Sequence, residues 1–93
     1  MKDESIDRVK TALADTAKHR KAAIKDTERI LREAESQEET AQLDIRDHRR
    51  ALKRATGPER EYQEAAYLGA IDRRAKAQKA YAAAKVTMGK LAA

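Results

Sequence analysis

Ala55-Thr56-Gly57-Pro58-Glu59 is the stretch that decides the fold, because no Gly or Pro occurs anywhere between residue 1 and residue 56. Gly suits the left-handed C′ position that ends a helix, and Pro suits the first turn of the next, where its missing N–H is not needed. Glu59 and Glu61 follow in that first turn and complement its positive end. The punctuation predicts an all-α chain: a long helix over about 5–55, a turn at 56–58 and a second helix over about 58–90. With Asp3 or Ser5 as N-cap, residues 1–93 read as a single helical domain.

Working back from the turn, residues recur at alternating steps of three and four. The series is Ile6, Val9, Leu13, Ala17, Arg20, Ile24, Thr27, Leu31, Ala34, Glu38, Ala41, Ile45, His48, Leu52 and Ala55. A heptad seam of this length argues for coiled-coil packing. Arg20, Thr27, Glu38 and His48 interrupt it; polar seam residues more often fix register or oligomer number than carry chemistry. Ser36-Gln37-Glu38-Glu39 matches a capping box, so a three-helix bundle with a break near 35–38 is the alternative. The unbroken period across that segment favours one helix. Working forward, the second helix places Tyr67, Ile71, Ala77, Tyr81, Ala84, Met88 and Leu91 on one side, and Leu68, Ala75, Ala82 and Val86 widen that side. More than one neighbour is needed to cover so broad a face.

Folding the helices antiparallel sets Glu33, Glu35, Glu38 and Glu39 beside Arg73, Arg74, Lys76 and Lys79, and Arg49, Arg50, Lys53 and Arg54 beside Glu59, Glu61 and Glu64. An elongated antiparallel helical hairpin, or coiled coil, is therefore the expected architecture. Residue 91 falls beside residues 22–24, so the start of the long helix overhangs with Ile6, Val9 and Leu13 in seam spacing. An apolar stripe without a partner in its own chain points to another molecule. The expected oligomer or partner interface comprises Ile6, Val9, Leu13, Ile24, Leu31, Ile45 and Leu52.

Composition narrows the function classes. Charged residues make up 40% of the chain, Ala supplies 20 residues, the aromatics are three tyrosines, and there is no Cys. Disulfides and thiolate metal sites are thereby excluded. Asp15 with His19, and Asp44 with His48, each share a helix face, but two ligands do not make a metal site. A seam His48 would make association respond to pH. Tyr62, Tyr67 and Tyr81 serve equally well as packing residues or as a binding surface. No phosphate loop, nucleophile elbow or zinc-binding His-Glu pair occurs, so no enzyme, cofactor, metal or small-molecule substrate is expected. No run approaches the roughly 20 apolar residues of a membrane span, and the charged opening residues argue against a secretory signal. Placement in the cytoplasm, or in a particle assembled there, is expected.

From residue 73 onward the charges are Arg73, Arg74, Lys76, Lys79, Lys85 and Lys90, with no acidic residue among them. This is the candidate nucleic-acid contact, since a basic helix can neutralise a phosphate backbone without reading bases. In length and shape the chain resembles the short helical-hairpin proteins exported by bacterial type VII systems. Those share a Trp-x-Gly turn, whereas this chain has no Trp and turns at Gly57-Pro58, so no family is assigned. The leading expectation is a structural or assembly protein, such as a virion or scaffold component, that forms a homo-oligomer or joins a larger complex through helical seams. The alternatives are a basic helical protein binding nucleic acid and a small helical regulator or inhibitor that lays a helix in a partner's groove.

Overall fold

The computed structural model describes residues 2–93, with side chains described for Arg8, Lys10 and residues 15–93. Two helices, α1 (Lys2–Arg54) and α2 (Pro58–Ala92), pack against each other as an antiparallel hairpin. Among the described residues there is no strand. The molecule measures 81 × 19 × 14 Å, and its length is that of α1, since 53 residues rising 1.5 Å each span about 80 Å. The three-helix alternative is not adopted. α1 runs unbroken through 35–38, with the Thr40 hydroxyl donating to the Ser36 carbonyl (3.0 Å).

The turn differs in one detail from the sequence expectation. Gly57 is the N-cap of α2 rather than the residue closing α1, and its carbonyl accepts from Arg60 N (3.1 Å) and Glu61 N (3.4 Å). Its φ of 63° and ψ of −139° lie outside the left-handed helical well, in a region essentially reserved for glycine. At the open end Arg20 reaches the Leu91 carbonyl, close to the expected residues 22–24.

Burial follows the predicted seam from Ile24 to Ala55. The fully buried positions are Thr27, Ala34 and Ala41 on α1 and Ala70, Ala77 and Ala84 on α2. Each set repeats at heptad spacing, so every second seam level is a contact between minimal side chains. An alanine carries only Cβ, which lets two backbones approach closely and bury main-chain atoms in place of bulk. The larger seam residues, Ile24, Leu31, Ile45 and Leu52 on α1 and Tyr67, Tyr81, Met88 and Leu91 on α2, are half-buried beside the alanine levels. Ile71 does not join them. Ala70 occupies the packing position and Ile71 is 39% exposed.

Two substitutions test this account by thermal denaturation. Gly57→Ala should cost about 1–3 kcal/mol of backbone strain, although an added Cβ meets nothing within 4 Å. Ala70→Leu should cost about 1–3 kcal/mol by forcing the helices apart, whereas Ala83→Leu on the exposed side should change stability little.

Candidate functional site

Of the residues that interrupt the seam, Arg20, Glu38 and His48 each meet a polar group of α2, while Thr27 is satisfied within α1. At the open end of the hairpin, Arg20 Nε donates to the Leu91 carbonyl (2.6 Å) and Nη2 to the Ala93 carbonyl (2.5 Å). A planar guanidinium suits this double contact with the carbonyls that a helix leaves unpaired at its C-terminus. Thr27 satisfies its hydroxyl within α1, donating to the Ala23 carbonyl (2.7 Å). In mid-seam, Glu38 Oε1 accepts from Gln78 Nε2 (3.2 Å) and lies 4.0 Å from Arg74 Nε. That Arg74 nitrogen is buried without a hydrogen bond, so its compensation is the nearby carboxylate charge alone.

Near the turn, His48 and Gln63 meet at 2.9 Å, Nδ1 against Oε1. A carbonyl oxygen only accepts, so Nδ1 carries the proton, which both the neutral and the charged ring allow. Gln63 Nε2 passes the chain on to Glu59 Oε1 (3.0 Å). Asp44 turns instead to Arg73 (3.1 Å), so Asp44 and His48 serve different partners across the seam. His19 and Asp15 are both exposed on α1. Among the described residues, no group of three or more His, Cys, Asp or Glu stands close enough to hold a metal ion. No helix there is long and apolar enough to cross a membrane.

The expected charge blocks form in part. Glu38–Arg74 joins the acidic stretch of α1 to the basic stretch of α2, and Arg73 finds Asp44, which the sequence pairing did not single out. At the turn end no ion pair among the described residues links Arg49, Arg50, Lys53 or Arg54 to Glu59, Glu61 or Glu64. Arg49 turns to Tyr67, donating to its hydroxyl (3.4 Å) with the guanidinium carbon 6.0 Å from the ring centre. The hydrogen bond to the Tyr67 hydroxyl favours the charged guanidinium and raises the pKa of Arg49 above its ordinary value.

The candidate interface residues divide into two groups. Ile24, Leu31, Ile45 and Leu52 are half-buried in the seam with α2 of the same chain, so the hairpin itself takes up much of the surface expected to meet a second molecule. The side chains of Ile6, Val9 and Leu13 lie outside the described residues; the α1 backbone there runs on past the level at which α2 ends. Of the candidate nucleic-acid contacts, Arg73, Arg74 and Lys76 have carboxylate neighbours in Asp44, Glu38 and Asp72. Lys85 lies over the Tyr81 ring (5.6 Å), and Lys79 and Lys90 are exposed with no ion pair among the described residues. One open groove runs along the seam, lined by Ser36, Thr40, Asp44, Arg73 and Lys76.

The fold and its seam define a two-helix antiparallel coiled coil with an alanine core. No protein family matches the chain, and neither does any curated protein or solved structure.

A double-mutant cycle on Glu38→Ala and Arg74→Ala, followed by thermal denaturation, should return a coupling of about 0.5–1 kcal/mol. Additive single effects would mean that the two groups adjoin without interacting.

Proposed function

We propose that this chain is a non-enzymatic structural or assembly protein that works by self-association, as a rod-shaped subunit of a larger complex. The observation that carries this reading is the imbalance between inside and outside. Within the hairpin, no described side chain larger than Thr is fully buried. Outside, Ile30, Leu43, Tyr62, Leu68, Ile71 and Val86 are all exposed, at 39–66%. A two-helix hairpin of this size buries too little apolar surface to be more than marginal alone, and association supplies the missing burial. The interspersed charges of both signs along the shaft favour a protein neighbour over a pocket-bound ligand.

A second reading, binding to a nucleic-acid backbone, has one observation of its own. The fold brings residues 16–25 and 80–93 to the open end, as the Arg20–Leu91 contact shows. Together they hold Lys18, Arg20, Lys21, Lys25, Lys85 and Lys90 and no carboxylate side chain. Those six charges exceed the chain's net +5, so everything else sums to −1. Asp15 and Asp26 border this end directly.

Light scattering coupled to size exclusion separates the two. Self-association should give a defined oligomer mass that rises with concentration and survives high salt. Nucleic-acid binding should instead weaken steeply with salt, with a logarithmic slope of about −0.9 per phosphate neutralised. Lys21→Glu with Lys25→Glu should abolish such binding and leave the oligomer mass unchanged. A monomer at every concentration would overturn the assembly reading.

A further inference from the structure

Ala70, Ala77 and Ala84 turn toward α1, and a second column with the same spacing, Leu68, Ala75 and Ala82, stands nearly half a turn away on the outer side of α2. All three are exposed, Leu68 at 58%. Ile71 and Val86 flank the column and are also exposed. This face therefore repeats the pattern of the internal seam, small residues with larger apolar ones beside them, without a helix against it. Its charged residues are Glu61, Glu64, Asp72, Lys79 and Lys85, acidic toward the turn and basic toward the open end.

Resting on the self-association reading, we infer that the occupant of this face is a second copy of the chain. Its α2 lies antiparallel on this one, with Ala75 against its own counterpart at a two-fold axis. In that register Leu68 packs on the second copy's Ala82, and Ala65 meets its Val86. Asp72 meets the second copy's Lys79, and Glu64 its Lys85. The symmetry makes each pairing twice, so four opposite-charge contacts flank a narrow apolar strip, as in the e and g positions of coiled coils.

The charges also reject the alternatives. Slipping the second copy one heptad toward the open end sets Lys79 on Lys79, and one heptad toward the turn sets Asp72 on Asp72. A parallel arrangement brings the acidic end of each face to the acidic end of the other, and basic to basic. Such like-charge contacts are a strong determinant of register and orientation. The groups needed are at hand in the single hairpin. Glu64 and Lys79 take part in no ion pair among the described residues. Asp72 pairs only with Lys76 of its own helix (3.0 Å), and both side chains are more than half exposed, so exchanging that partner costs little.

The test uses the full chain. Ala75→Cys should link rapidly to a second copy on mild oxidation or with a short bis-maleimide, while Ala80→Cys, on the opposite side of α2, should not. Asp72→Lys should weaken self-association at least about tenfold, because it sets lysine against lysine, and adding Lys79→Asp should restore it. Helicity followed by circular dichroism checks that each variant still folds. An oligomer of unchanged mass whose A75C thiols stay unlinked, and which ignores both charge changes, would overturn this face while leaving self-association standing. A chain that stays monomeric at every concentration would remove both.

Discussion

Close approach of two helices across alanine is the constraint on which the structure rests. Ala34 and Ala41 on one helix, and Ala70, Ala77 and Ala84 on the other, leave no bulk between the backbones. A hairpin made this way is thin, 19 × 14 Å in section, and gains little from each level it closes. It compensates by length, repeating the contact along most of α2. The same economy leaves the larger apolar residues half-buried at the margins of the seam or wholly outside it. The outward apolar face of α2 is thus a direct result of how the inner face is built.

Polar residues supply what the alanines lack, which is specificity. An alanine seam has nearly the same shape at every heptad, and would slide by seven residues with small loss. Glu38 beside Arg74 and Gln78, and His48 with Gln63, occur at different levels with different chemistry. A slip of one heptad would part Glu38 from Arg74 and Gln78, and His48 from Gln63. The half-buried ion pair adds little stability by itself, and its Arg74 nitrogen lacks a hydrogen bond. Its value lies in making the correct alignment distinguishable from the others.

The hairpin was legible in the sequence because its signals are local. Gly57-Pro58 marks the break between the helices and starts the second by backbone sterics, and the three-four spacing of α1 survives in the burial from Ile24 to Ala55. The packing face of α2 was harder to read. Hydropathy points to Ile71, but a close-packed partner selects Ala70, and Arg74 and Gln63 complete the seam with polar side chains that no apolar count would choose. Leu68, Ala75, Ala82 and Val86 were recognisable as surplus apolar surface; the fold shows that α1 leaves them uncovered. Which cations stand beside carboxylates depends on long-range alignment. Asp44 with Arg73, and Arg20 with the end of α2, therefore became visible only in three dimensions.

Arg20 also bears on how the molecule assembles itself. Every level of the ladder beyond the turn closes on one already formed, so contacts between residues ever more distant in sequence are reached without any large loop having to be closed at once. Arg20 and Ala93, 73 positions apart, are then joined as the last stitch of a zipper rather than by a long search. Fraying in such a zipper starts where that stitch sits. A single forked side chain there ties the free end of α2 to α1.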